Sequence, residues 1–544
     1  MMGTKLRNTA PLISVSLEDL VPQDHFYRQL DQKLDLSFVY GFVQESYAKA
    51  GRPSIDPIVF FKLQLVMFFD GIRSERQLMD QAADRLSVRW YLGYNLDEAL
   101  PDHSSLTRIR SRYGIEVFRR FFETIVDQCQ QAGLVWGKEL YADATKVLAN
   151  AAVSSLKPRF AVEAHLNTLF AAEQEQKTDE RLASTDANAP TQPLGQAEAS
   201  AVHDPISCEE QQSVPFPRQL HPALLPEVRE TVAKVNSERH DWIERAGEPN
   251  REVTRGNYQR MADWQASSTD PDATLMQTKG GARLVYHTHY VVDGGKARII
   301  LQVLVTPSEV MENQPVLDLL WRARARWKLH PRQFTGDTTY GTAENIVALE
   351  EQDIRAYVPL PDFDQRTDFF GQRDFYYDAK RDVYLCPNKA VLHLLPSGCT
   401  DQYLQYRAKA SVCNSCPLKA KCTTSRTGRR LSRHVAEEYL EKVRAYHTTE
   451  PYKKAMRKRS VWVEPLFAEG KDWHGMRRYR LRRLWRVNCE ALVRATGQNL
   501  KRLLKKRGWS RHPWPEGAEN ASFFGFFTLN REVSPREEEE GAFC

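Results

Sequence analysis

A carboxylate stands in the middle of a strand. From Leu140 to Ala149 the chain reads Leu-Tyr-Ala-Asp-Ala-Thr-Lys-Val-Leu-Ala, a short, part-apolar run bounded by Gly137-Lys138. The run predicts a β-strand, and strand propensity disfavours the acid at Asp143. A residue that opposes its own local structure needs a reason outside that structure. The strand also divides the chain, because the sequence before it is patterned as helix and the sequence after it as alternating helix and strand.

Residues from about 15 to 130 read as helical. Asp56-Pro57 predicts a helix start, with Asp as the cap and Pro in the first turn. Ile58, Phe60, Phe61, Leu63, Leu65, Val66 and Phe69 follow, and Gly71 ends the run. Ser74 with Gln77 predicts a capping box for a helix carrying Leu78, Ala82 and Leu86. Asp102-His103-Ser104-Ser105 caps another helix through Leu106, Ile109 and Arg112. That helix bears Arg108, Arg110 and Arg112, which fits either a helix-turn-helix-like DNA reader or a bundle with a charged face.

Beyond Asp143, residues 171–220 are rich in Ala, Glu, Gln, Ser, Thr and Pro, and predict a disordered insert, with a charged helix at about 225–245. Gly280-Gly281 opens a strand whose residues Leu284, Tyr286, Thr288, Tyr290 and Val292 alternate. Asp293-Gly294-Gly295 is a hairpin turn, and residues 298–305 are the return strand. Then come a helix at about 314–327, a strand at 333–337, a helix at about 342–352 and a strand at 355–360. This order predicts an α/β core with helices packed on a mixed sheet. A Cys-bearing segment (365–430), a basic helix-rich region (434–507) and a tail rich in Pro, Gly and Glu complete the chain.

The chain has 544 residues, 42% of them hydrophobic, enough for several domains. No apolar run reaches eighteen residues, and no signal peptide is visible, so no membrane association and a cytoplasmic, reducing setting are expected. The nine cysteines are then thiols or metal ligands before they are disulfides. Net charge is only +6, but residues 473–508 hold twelve Arg or Lys and one acid, Glu490. Such segregation fits either a solvated basic helix or contact with a polyanion.

Two further acids stand out by context. Asp337 closes a strand in Thr-Gly-Asp-Thr-Thr-Tyr340-Gly, and Glu464 opens a helix in Trp-Val-Glu-Pro-Leu-Phe467. Three carboxylates from two strands and a helix can bind two hard cations such as Mg²⁺ or Mn²⁺ through oxygen. Two such ions suit phosphoryl transfer, and no Cys or His flanks the acids to favour a softer metal. Lys471 lies about two helical turns after Glu464, on nearly the same face, where it could hold a phosphate. Glu490, on an apolar-spaced helix, competes with Glu464 as third acid. Cys386, Cys413, Cys416 and Cys422, one close pair among them, are candidates for a structural Zn²⁺ site or reduced buried thiols, with Cys399 in reserve. Arg477, Arg478, Arg480, Arg482 and Arg483 offer phosphate contacts, which would make binding fall steeply with salt. Trp462 and Trp473 either stack on an extruded base or pack in the core.

Taken together, these segments resemble the insertion-sequence transposases of the DDE class. The resemblance covers most of the chain. It is carried by Ser54-Ile-Asp56-Pro57 and Pro101 to Leu106 in the helical part, by Asp143-Ala-Thr-Lys146, by Gly336-Asp337-Thr-Thr-Tyr340-Gly, and by Glu464 with Lys471 and Gly497-Gln498-Asn499. Where the family often places an Arg four residues before the Glu, this chain has Ser460, with Arg457 and Arg459 beside it. The resemblance implies an RNase H-like catalytic domain over 137–507, interrupted by a disordered insert at about 154–225 and a Cys-containing insert at about 365–430. It implies a helical DNA-binding and dimerisation domain over 1–130, and a flexible tail over 508–544. It implies a bacterial, nucleoid-associated enzyme that binds terminal inverted repeats and target DNA, acts as a homodimer, and cuts and joins strands with Asp143, Asp337, Glu464 and Lys471. A nuclease of the same fold, and a DNA-binding relic that no longer cuts, are the rival readings.

Overall fold

The computed structural model describes residues 15–47, 54–158, 265–362, 364 and 367–508. The expected insert at 171–220, the helix at 225–245 and the tail beyond Gly508 lie outside the described residues.

Among the described residues seven helices come first: α1 (Leu17–Leu20), α2 (Phe26–Lys33), α3 (Phe38–Val43), α4 (Pro57–Phe69), α5 (Glu75–Asp84), α6 (Leu86–Leu92) and α7 (His103–Gln131). The capping residues act as their types dictate. Asp56 accepts from the Ile58 amide, Ser74 from Gln77 and Asp102 from Ser104. Gly71 takes the left-handed φ of 65° after α4. α4 is apolar almost all round, and such a helix is stable only when buried. It is the inner helix of the group, and its one charged residue, Lys62, reaches out to Asp31 and the Tyr91 carbonyl. The helix capped by Ser74 is shorter than its pattern suggested. Arg85 is extended, and Leu86 begins α6 instead of ending α5.

Among the described residues the central sheet has six strands: β1 (Glu139–Leu148), β4 (Thr274–Thr278), β5 (Gly281–Asp293), β6 (Ile300–Pro307), β7 (Gln333–Thr335) and β8 (Arg355–Tyr357). A separate ladder joins β2 (Leu156–Pro158) to β3 (Gln265–Ser267). β5 pairs antiparallel with β1 along one edge and with β4 and β6 along the other, and β7 and β8 continue parallel beyond β1. Gly280-Gly281 is the turn from β4 into β5, which Gly281 opens as expected, and β4 was not foreseen. The alternation in β5 does not mark a wet face, since every residue from Leu284 to Asp293 is buried. On one side Tyr286, Thr288 and Tyr290 bond to Asp270, Tyr479 and Gln498. On the other, His287 and His289 bond to the Val310 carbonyl and Thr306. Polar partners on both faces let polar residues sit in a strand covered on both sides.

Two helices follow in the core: α8 (Val316–Trp327) and α9 (Ala343–Glu350). Next is an antiparallel sheet of β9 (Tyr376–Asp378), β10 (Val383–Leu385), β11 (Val391–Leu394), β12 (Tyr403–Ala408) and β13 (Arg430–His434), ordered 13-12-11-10-9 around Tyr384, Leu392 and Tyr406. Four helices complete the described chain: α10 (Glu437–Tyr446), α11 (Glu450–Trp462), α12 (Glu464–Trp473) and α13 (Leu484–Lys506). The basic stretch 474–483 is not helical as expected. Gly475 has a φ of 66° and Arg483 one of 74°, and the segment lies along the end of β1, with the Tyr479 amide on the Leu148 carbonyl at 2.8 Å.

α13 ties the two halves together. It packs on α4 and α7, and Gly497 is where it meets α4, since a Cβ there would stand 2.4 Å from the Phe68 ring. It also covers the outer edge of β6. Asn499 accepts from the Ile300 amide and donates to its carbonyl, and Asn488 does the same at Val305. Helical residues and sheet residues thus share one hydrophobic core.

Arg110 is not on the surface of α7. Its side chain is 2% exposed and pairs with Glu75, which also accepts from Arg480 at 2.9 Å. Burial alone would raise the Glu75 carboxyl, but Arg110 and Arg480 outweigh it and hold it below the usual range. Stability from this carboxylate is present above its unfolded pKa and is lost as pH falls through the lower folded value. Glu75→Ala leaves two guanidinium groups facing each other, and is expected to destabilise the protein by about 3–5 kcal/mol in denaturant unfolding at neutral pH. A loss under about 1 kcal/mol would show that the pairs are not formed.

Candidate active site

Asp143 and Asp337 occupy matching places on neighbouring parallel strands. β1 and β7 pair up to Tyr141 opposite Thr335, and each acid lies two residues further on. Asp143 is still within β1, opposite Tyr290 of β5, and Asp337 has just left β7. The turn after β7 explains its motif. Asp337 accepts from the Thr339 amide at 2.9 Å and caps a short 3₁₀ turn. Tyr340 folds back beneath Gly336, where a Cβ would stand 2.7 Å from its ring. Glu464 is the first residue of α12, half exposed, with Pro465 next to it in the first turn.

The acids are electrostatically one group. Burial pushes the Asp143 carboxyl up to about 6, against the pull of Arg459 and the Ala144 amide, and Asp337 and Glu464 push it further. Arg459, on α11, stands between two of them, with one nitrogen 3.4 Å from Asp143 and the other 3.8 Å from Glu464. The Lys471 ammonium donates to Thr145 at 2.5 Å, two residues along β1 from Asp143. Burial lowers its pKa, the nearby Arg477 adds to this, and Asp143 opposes it. Glu490 is elsewhere. It is buried on α13 and accepts from the Arg480 and Leu481 amides and from Arg494, so it shapes the 474–483 segment.

A fourth acid escaped notice in the sequence. Glu312, between β6 and α8, has its carboxyl raised by burial first and then by Asp337 and Asp143, and lies 3.7 Å from His287. It sits in an irregular connection without a motif, so nothing local marks it.

The expected phosphate contacts divide. Arg108, Arg112, Arg457, Arg477, Arg478 and Arg482 are exposed. Arg477 pairs with Asp472, and Arg482 donates to the Asn150 carbonyl. Arg483 is half-buried, with its amide on Asp270. Arg110 and Arg480 turn inward to Glu75, and Arg459 turns to the acids, so these three are corrected from surface contacts to internal counter-charges. Trp462 donates to the Gly295 carbonyl and lies beneath the Lys458 ammonium, which is a packing role; Trp473 is exposed.

Cys386, Cys413, Cys416 and Cys422 line one cavity of about 20 Å³ beside the 376–434 sheet, and Cys399 does not. Three of the four sulfurs accept N–H groups: Cys386 from Ala390, Cys413 from Arg429 and Cys416 from Asn388. Burial raises the Cys422 thiol, and the other three cysteines add to it. Among the described residues no His, Cys, Asp or Glu side chains are arranged as a ready-made ligand set. The donor chemistry still fits: the acids are hard oxygen donors whose crowding raises their charge cost, and the thiols converge with N–H support for thiolate.

The raised Asp143 carboxyl costs stability wherever it is ionised. That cost is absent below its unfolded pKa of about 4 and complete above its folded value of about 6. Asp143→Asn is therefore expected to stabilise metal-free protein at pH 7.5 by roughly 1–3 kcal/mol, with the gain shrinking toward pH 4. Thermal unfolding across that range checks it, and a variant less stable than wild type at pH 7.5 would refute the electrostatic account.

Comparison with known families gives two matches. Residues 15–112 match a family described as Transposase domain, and residues 385–504 match one described as Transposase DDE domain. The second span contains Glu464 and Lys471, while Asp143 and Asp337 lie outside both. No curated protein and no solved structure matches. No helix among the described residues is long and apolar enough to cross a membrane. With a Transposase domain over 15–112 and a Transposase DDE domain over 385–504, which contains Glu464, the two matches support a DDE-class insertion-sequence transposase.

Proposed function

We propose that this protein is the transposase of a bacterial insertion sequence, which binds the terminal inverted repeats, cuts the element ends and joins the new 3′-hydroxyl to target DNA. The grouping of Asp337 and Glu464 close enough to Asp143 to raise its carboxyl, with Arg459 between Asp143 and Glu464, carries the reading. The strand order supports an RNase H-like core: three antiparallel strands in sequence (β6, β5, β1), then two parallel strands (β7, β8) on the far side of β1.

Asp143 within β1 and Asp337 just beyond the end of the adjacent β7 would hold two Mg²⁺ or Mn²⁺ ions, with Glu464 completing the set. When bound, such ions supply the charge that activates a water or 3′-hydroxyl and stabilises the leaving oxygen. Lys471 holds a DNA phosphate beside the acids, from a side chain already aimed at β1. Arg459 gives up its carboxylates and turns to phosphate, a bidentate partner its guanidinium fits as well. The exposed Arg108, Arg112, Arg457, Arg477, Arg478 and Arg482 contact the duplex backbone. The helical part binds the repeats and forms a homodimer on DNA. The enzyme works in the cytoplasm, on the nucleoid.

Supercoiled DNA bearing the element ends, incubated with Mg²⁺ and a target plasmid, tests this. Wild type is expected to give strand-transfer products. Asp143→Ala, Asp337→Ala and Glu464→Ala are each expected to lose roughly 10²–10⁴-fold in rate. Equal activity in all of them would remove the mechanism, and nicks without joined products would make the protein a nuclease.

We further propose that Cys386, Cys413, Cys416 and Cys422 hold one structural Zn²⁺. Metal analysis of purified protein is expected to give about one equivalent of zinc, and Cys413→Ser to lose most of it and loosen the 376–434 sheet to proteolysis. Zinc below about half an equivalent in wild type would exclude the site.

A further inference from the structure

A cavity of about 60 Å³, lined by none of the three acids, lies where the N-terminal helices meet α13. Its walls include Gln64 and Phe68 of α4, Arg110 of α7, Arg480 of the 474–483 segment, and Arg494 of α13. Three of these side chains bring buried donors without a hydrogen-bond partner: the Gln64 amide nitrogen, one terminal Arg110 nitrogen and one terminal Arg494 nitrogen. Arg110 is 2% exposed at its side chain and Gln64 is 5% exposed overall, so bulk solvent does not satisfy them. A buried donor left unpaired is costly, and native structures rarely tolerate several in one place.

The nearby acids are already committed. Glu75 accepts from Arg110 and Arg480. Glu490 accepts from Arg494 and from the Arg480 and Leu481 amides. Arg73, Arg110, Arg480 and Arg494 line the cavity against Glu490, with Glu75 behind, which leaves two positive charges in excess. The space holds roughly four waters, or one tetrahedral oxyanion. Water would satisfy the donors but not the charge, and an oxyanion satisfies both.

We propose that this cavity is an anion site that binds a phosphate group between the helical domain and the catalytic core. It joins Gln64 and Arg110 from one to Arg494 from the other, so occupancy clamps the two. The group is either free inorganic phosphate or a backbone phosphate of DNA, reached past the exposed Arg73 at the cavity's rim.

The full chain in phosphate-free buffer provides the test. Inorganic phosphate is expected to raise the unfolding temperature saturably, by roughly 2–5 °C, with about one labelled phosphate bound per chain in equilibrium dialysis. Chloride at matched ionic strength is expected to do neither. Arg494→Gln and Gln64→Leu should each weaken phosphate binding roughly tenfold or more. Gln64→Leu keeps every charge and nearly the same volume, so the test stands even if Arg494→Gln unfolds. A rise reproduced by chloride, or phosphate bound equally by wild type and Gln64→Leu, would mean an adventitious ion only and would overturn the proposal. Short duplex DNA then identifies the source. Displacement of the labelled phosphate marks a DNA phosphate, and retention marks free phosphate. Neither readout uses catalysis, so the site stands or falls apart from the transposase mechanism.

Discussion

Two asparagines on one helix hold this molecule in register. Asn488 and Asn499 each offer an amide to the outer edge of β6 as a neighbouring strand would, accepting from one backbone N–H and donating to the same residue's carbonyl. An uncovered sheet edge exposes unpaired backbone and invites wrong pairing. Here α13 closes it and, in doing so, fixes its own position against the sheet. Between them in sequence, next to Asn499, is Gln498, whose side chain donates to the Leu466 carbonyl of α12. Glu464 begins that helix. The placement of the third acid thus depends on a helix whose own place is set by the edge of the sheet.

The same helix carries the contact to the N-terminal half. Gly497 admits the Phe68 ring, and Glu490 gathers the 474–483 segment. Helical and α/β parts therefore share a continuous core rather than a linker. A motion of the N-terminal helices would be felt at α12 through α13, which is a physical route from the helical half to the acids.

Much of this was legible in the sequence where local chemistry decides the outcome. The caps at Asp56, Ser74 and Asp102 formed as their side chains require, and β1 formed around the acid that marked it. Where tertiary partners decide, the sequence misled. β5 alternates like a half-wet strand, yet both faces are covered, because Asp270, Tyr479, Gln498 and Thr306 supply polar partners from distant positions. Arg110 looked like part of a basic face, since nothing near it announces Glu75. The 474–483 stretch had helical spacing but joined a strand end. Glu312 was invisible because an acid in an irregular connection has no local pattern, and only folding brings it toward Asp337.

The small ladder of β2 and β3 carries one more implication. It pairs Leu156, Lys157 and Pro158 with Ser267, Ala266 and Gln265, so the chain leaves the core at 158 and returns beside itself at 265. This ladder holds the two points of departure and return side by side. Closing a longer excursion costs only a logarithmic increment of entropy. By that logarithm, a change of length between 158 and 265 adds little closure cost to the sheet that carries Asp143.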